Sequence, residues 1–114
     1  MIVDATLGAL VRQAPINFNT SGDNVVVLGV IGQIIRVLQF FYVCGAATNI
    51  TFKSNATALS GPLIFSTNGA QVQDYMQRPL NCNVGDSFIM NSSNAVQVGG
   101  TIWYINTGQL PYTL

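Results

Sequence analysis

From Ile16 onwards the chain is built of short apolar alternations, interrupted about every ten residues by Gly, Pro, Asn or Ser. No segment carries the i, i+3, i+4 recurrence of a long amphipathic helix. Short strands at this spacing predict an all-β fold, a single antiparallel β-sandwich or jelly-roll-like domain with extended terminal arms. The pattern predicts strands over 25–31, 34–44, 48–53, 58–65, 70–76, 87–90 and 95–105. Ser21-Gly22-Asp23-Asn24, Ser54-Asn55 and Val84-Gly85-Asp86 read as turns, and Gly61-Pro62 breaks the 58–65 segment. Asn68-Gly69 is the pair that favours a type I′ hairpin turn. Gly45-Ala46-Ala47 allows a bend, across which 34–44 and 48–53 read as one kinked strand. Residues 1–14 read as an N-terminal arm, extended or with one short helix before Pro15. Residues 15–106 form the sandwich and 107–114 a C-terminal tail that includes Leu110 and Tyr112.

The segment Ile34-Ile35-Arg36-Val37-Leu38-Gln39-Phe40-Phe41-Tyr42-Val43-Cys44 is apolar on both alternating faces. Strict alternation puts Ile34, Leu38, Phe40, Tyr42 and Cys44 on one side, and Ile35, Val37, Phe41 and Val43 on the other. One side can face the core. The other needs a terminus, another sheet or a second copy, so Leu38, Phe40 and Tyr42 are expected at a self-association surface.

Composition strengthens that expectation. Apolar residues make up 49% of a chain of 114 residues, and mean hydropathy is +0.41. A domain of this size buries only roughly two-thirds of its unfolded surface, so apolar surface is left over for a partner. Charged residues are 7% of the chain, against about 25% in an ordinary soluble domain. Arg12, Arg36, Lys53 and Arg78 are the only cations, too few for a phosphate-neutralising patch, which argues against nucleic acid or an anionic membrane as partner. The longest apolar stretch, 34–47, is interrupted by Arg36 and Gln39 and is shorter than the roughly 20 residues that span a bilayer. The start Met1-Ile2-Val3-Asp4 has no basic region before an apolar one, so the chain is expected to be made and assembled in a cytoplasm.

Catalytic chemistry has little to work with. The chain contains neither His nor Glu, the usual general acids and bases. Asp23 and Asp86 each follow Gly in turn-like settings, where Asp most often bonds its own backbone. Cys44 and Cys82 have no His to activate them and no metal-ligand spacing, and read as buried free thiols in preference to a bridge. No loop shows oxygen ligands at calcium spacing. Val98-Gly99-Gly100-Thr101 lies inside a strand pattern, not in a phosphate loop. The expectation is a non-enzyme with no cofactor and no metal. Asn-x-Ser/Thr occurs at Asn19, Asn49, Asn55 and Asn91, as chance allows in a chain rich in these residues. Trp103 has the alternative of stacking on a sugar, against the commoner role of filling a core or subunit interface.

Several of these segments resemble a family. Ile35-Arg36-Val37-Leu38, then Gly45-Ala46-Ala47-Thr48-Asn49-Ile50-Thr51-Phe52-Lys53-Ser54, Thr57-Ala58-Leu59-Ser60-Gly61-Pro62-Leu63 and Ala95-Val96-Gln97-Val98-Gly99-Gly100-Thr101-Ile102 are similar to parts of small β-rich structural proteins of tailed bacteriophages. Gln77-Arg78-Pro79-Leu80 departs from the tryptophan-rich or charged segment that family members often carry before the closing strands. The resemblance implies a bacteriophage virion protein assembled in the host bacterial cytoplasm. The implied role is capsid decoration or cement: a jelly-roll-like homotrimer docked on the major capsid protein. A tail, baseplate or fibre-attachment protein is the nearest alternative, and a carbohydrate-binding module the one from another class. The residues expected at the self-association or partner interface are Leu38, Phe40, Tyr42, Trp103, Leu110 and Tyr112.

Overall fold

A long antiparallel ribbon, folded back on itself and then rolled up, accounts for every pairing in the sandwich. The computed structural model of the chain describes residues 3–4, 9–74 and 79–108. Its strands are β1 (Val3–Asp4), β2 (Ala9–Leu10), β3 (Arg12–Phe18), β4 (Gly22–Val27), β5 (Gln33–Cys44), β6 (Thr48–Ser54), β7 (Thr57–Ala58), β8 (Leu63–Phe65), β9 (Ala70–Asp74), β10 (Leu80–Asn81), β11 (Phe88–Ser92) and β12 (Val98–Gly108). The ribbon pairs are nested. β3 pairs with β12, β4 with β11, β5 with β9 and β10, and β6 with β7 and β8, all antiparallel. Rolling the ribbon adds β12 to β5 and β11 to β6. Two sheets result, β3-β12-β5 with β9 and β10 along its far edge, and β4-β11-β6 with β7 and β8. That order is the jelly roll, and the expected all-β antiparallel sandwich is the fold.

The core between the sheets follows from alternation. On β6, Thr48, Ile50, Phe52 and Ser54 are buried, while Asn49 is exposed and Thr51 and Lys53 are half-buried on the other side. Phe52 is the hub of an aromatic group, its ring centroid 5.1 Å from Phe40, 5.8 Å from Phe88 and 6.2 Å from Tyr42. Such pairs add about 0.5–1.5 kcal/mol each beyond burial. The Tyr42 hydroxyl donates to Gln71 Oε1 at 2.6 Å, so the buried phenol keeps a partner. Where the apolar filling stops, Thr48 Oγ1 and Ser92 Oγ meet at 2.8 Å.

The long strand β5 does not keep the strict alternation expected of it. Along β12 the register runs Trp103 to Gln39 and then Tyr104 to Val37, so Leu38 is an extra residue and the strand changes phase there. Ile35 and Val37 before the shift, and Phe40, Tyr42 and Cys44 after it, all enter the core cluster. Leu38 and Ile105 are fully buried but lie outside that cluster. Ile105 follows the core-packed Tyr104 and so faces the opposite side of the sheet.

Other expectations change as well. Segments 34–44 and 48–53 are not one kinked strand, because the bend at 45–47 carries the chain from one sheet to the other. The 25–31 strand ends at Val27, and Leu28 to Ile31 are an outlying loop. It closes in a turn in which Gln33 N donates to Val30 O at 3.0 Å, with Gly32 at φ +80° in the position that demands a left-handed backbone. Asn68-Gly69 is not a type I′ hairpin: the central residues are Thr67 and Asn68, only Asn68 has positive φ, and the turn links β8 in one sheet to β9 in the other. Finally, Arg12 to Ala14, expected in the arm, are already strand β3.

Candidate functional site

The register places one set of side chains on the outer face of the β9-β5-β12-β3 sheet. Phe41 stands between Val72 and Thr101, Val43 between Ala70 and Gly99, and Gln39 beside Trp103. Pro15 and Gln13 extend the face across β3. Core positions on β5 alternate with these, which is why Phe41 and Val43 must point outwards once Phe40 and Tyr42 point in. Val72 is 72% exposed, Val43 44% and Phe41 42%. Trp103 is half-buried, its ring centroid 5.9 Å from that of Phe41 at an interplanar angle of 44°. No described side chain beside Phe41, Val43 and Val72 is charged, but further along the same side Arg36, in register with Ile105, donates from Nε to Thr107 Oγ1 at 2.9 Å.

The outer face of the other sheet contrasts with it. There Lys53 Nζ donates to both carboxylate oxygens of Asp23 at 3.0 Å, and Asn91 Nδ2 donates to Asp23 Oδ1 at 2.7 Å. The Asn91 amide, then the Lys53 ammonium, hold the Asp23 carboxyl below its ordinary range. The carboxylate is therefore a charged acceptor at the surface, where such a pair adds at most about 1 kcal/mol. It is not poised for proton transfer.

A second exposed apolar group lies at one end of the sandwich. Ile31 is 97% exposed, Leu28 74%, Val30 45% and Val84 39%. Gly85 N donates to Gln33 O at 2.8 Å, and Gly29 N to Ser87 Oγ at 2.8 Å, which tie the 28–32 loop to the turn carrying Val84.

The remaining polar groups build loops. Ser54 Oγ donates to Asp86 Oδ2 at 2.7 Å and accepts from Asn83 N at 2.9 Å, while Asn55 Nδ2 reaches Asp86 Oδ1 at 3.0 Å. Asp86 thereby staples the β6–β7 turn to the 83–87 loop through side chains of another segment, where the expectation was a bond to its own backbone. Among the described residues, no group of three or more His, Cys, Asp or Glu is placed to hold a metal ion. Asn106 Oδ1 is buried without a hydrogen-bond partner; it pairs in register with Ile35 and has no titratable neighbour in that pair.

Cys44 and Cys82 are free and buried, far from each other in the register of β5 and β10. Burial pushes the Cys82 thiol up to about 11; the Ser54 contact works against the shift and the Asp86 charge adds to it. Burial also raises Cys44. Neither is an activated nucleophile. An aromatic disulfide reagent at neutral pH is expected to leave both thiols unmodified in the native protein and to titrate both in denaturant. Rapid modification of the native protein at either position would show that the thiol is accessible and ionised.

Of the residues expected at an interface, Leu38, Phe40 and Tyr42 are 0%, 1% and 0% exposed. They are interior residues of the protomer, moved there by the phase change at Leu38, and present no surface to another chain. Trp103 does lie on the exposed face. Leu110 and Tyr112 fall outside the described residues. The sequence reading missed Phe41, Val43 and Val72 as a group. Two-sided apolar patterning on β5 marked that a second face existed, and the register was needed to say which residues form it. No family model, curated protein or solved structure matches this chain.

Proposed function

We propose that this chain is a non-enzymatic bacteriophage virion structural protein, a capsid decoration or cement protein that oligomerises and stabilises the capsid through contacts with the major capsid protein. The observation that carries the reading is a jelly roll that exposes an apolar patch of Phe41, Val43 and Val72 on one sheet face and an apolar loop at one end. Two separate apolar surfaces suit a subunit that holds its own copies and a shell at once, since permanent interfaces resemble a domain core cut in half. Cement action is then linkage: a subunit that binds only the assembled shell shifts the equilibrium towards it.

The test is quantification of the protein in purified particles, tailless heads and isolated tails, with shell stability measured before and after its removal. The expected result is many copies on tailless heads and a lowered disruption temperature for stripped shells, restored by adding the protein back. Recovery with tails and absence from heads would replace the cement role by that of a tail, baseplate or fibre-attachment protein. Trp103 beside Phe41 on an open sheet face favours one further reading, a carbohydrate-binding module. Glycan binding that disappears in a folded Trp103→Ala variant supports that alternative.

A further inference from the structure

We infer that Asn68 is a site of spontaneous deamidation, and that the turn from Ser66 to Gly69 sets how fast it reacts. The reaction needs no enzyme. The main-chain nitrogen of the following residue, having given up its proton to base, attacks the asparagine Cγ; the new C–N bond closes a succinimide ring, and ammonia leaves with Nδ2. Water then opens the ring. Breaking the bond from Cγ to the nitrogen gives aspartate with the main chain intact, whereas breaking the bond from the main-chain carbonyl carbon gives isoaspartate, whose main chain runs through Cβ and Cγ. Nothing is oxidised or reduced, and the nitrogen regains its proton.

The fold singles out this asparagine. A side chain on the following residue crowds the attacking nitrogen, and Asn68 is the only asparagine of the chain followed by Gly. It is exposed, and among the described residues no hydrogen bond holds its amide. Asn55 is the closest comparison, since it shares the left-handed backbone, at φ +47° against +61° for Asn68. The Asn55 amide is held at both ends: Oδ1 accepts from Ser87 N at 2.9 Å and Nδ2 donates to Asp86 Oδ1 at 3.0 Å. Ala56 follows it. Asn91 is tied as well, with Nδ2 donating to Asp23 Oδ1 at 2.7 Å.

The turn restrains what the side chain invites. The nitrogen that must attack, Gly69 N, donates to Ser66 O at 2.9 Å, and Gly69 O accepts from Cys44 N at 2.8 Å, so this residue is pinned through both of its main-chain polar groups. A nitrogen engaged through its proton resists deprotonation and is not free to swing onto Cγ. Reaction therefore waits for the turn to open, and local opening of an exposed turn costs far less than unfolding the domain. The native chain reacts, but slowly. Either product turns a chain of zero net charge into an anion. Isoaspartate also lengthens the main chain by one methylene, which pushes Gly69 out of line with Ser66 O and Cys44 N.

The test is incubation of the full chain at mildly alkaline pH, native and in guanidinium chloride, in water enriched in heavy oxygen. Ion exchange counts the new anionic species, and peptide mass spectrometry locates the aspartate, the isoaspartate and the heavy oxygen that ring opening inserts. In the native chain, modification is expected to begin at Asn68, at least about tenfold more slowly than at Asn68 in denaturant, the effect of two hydrogen bonds that must break. Thr67→Gly, at an exposed position, favours the open turn through backbone entropy and should speed the native reaction roughly two- to fivefold with the denatured rate unchanged. Equal rates in the native and denatured chains overturn the inference. So does native modification that begins at another asparagine, or a folded Thr67→Gly chain that reacts no faster than the wild type. The result is independent of the virion reading, because the chemistry needs only this turn.

Discussion

Phe40→Asp is expected to prevent the chain from reaching a cooperative native state. Phe40 is 1% exposed, and its ring packs 5.1 Å from Phe52 and 5.7 Å from Tyr42. Truncating a buried Phe costs about 3–5 kcal/mol, and a carboxylate in its place adds the penalty of a buried, unpaired charge. Domains of ordinary stability have about 5–15 kcal/mol in total. The measurement is far-ultraviolet circular dichroism with urea titration, set beside Phe41→Asp. The neighbouring substitution lands on the outer face, where Phe41 is 42% exposed, and should leave a cooperative unfolding transition. If Phe40→Asp unfolds cooperatively near the wild-type midpoint, the phase assigned to β5 is wrong.

Gly100→Ala is the second large effect expected, from one methyl group. Gly100 pairs with Tyr42 at the centre of the sheet. A Cβ built there runs into the carbonyl oxygen of Phe41, and lies 2.7 Å from Tyr42 Cα and 2.8 Å from the Phe41 carbonyl carbon. These are backbone atoms of β5 and cannot rotate aside. Relief requires β12 and β5, the two central strands, to separate. Overpacking of a core usually costs about 1–3 kcal/mol, and a collision with backbone belongs at or above the top of that range. The melting temperature should fall by about 10 °C or more. Gly99→Ala is the control: its Cβ meets nothing nearer than the Ile16 carbonyl oxygen at 4.0 Å, and the variant is expected within about 0.5 kcal/mol of wild type. Equal effects at the two glycines would refute the close strand approach at Gly100.

These two positions also mark how much could be read without the structure. Alternation on 48–53 announced one buried and one wet face because β6 keeps a strict period of two with one face in the core. The apolar density of β5 was equally plain, yet its phase was not. One extra residue at Leu38 exchanges the faces, and that residue is selected by the register of β12, a partner some sixty positions away along the chain. Leu28 to Ile31 look like buried strand by composition, but the turn at Val30–Gln33 lifts them out of the sheet. Gly99 and Gly100 are adjacent and identical in sequence. Only the neighbouring backbone tells the indispensable one from its replaceable neighbour. The candidate surface was half legible for the same reason: Trp103 was foreseen, whereas Phe41, Val43 and Val72 are brought together by pairings no local pattern encodes.

The nested ribbon has a consequence for synthesis. Residues 12–18 pair with residues 98–104, which are made much later. Strand β12 also occupies the middle of its sheet, between β3 and β5. Until β12 has emerged from the ribosome that place stays empty, and β3 and β5 present unpaired edges to whatever is nearby. Folding of this topology is expected to be slow and to finish only once β12 is available. Where many nascent copies crowd together, the vacant middle of one sheet is open to the closing strand of another.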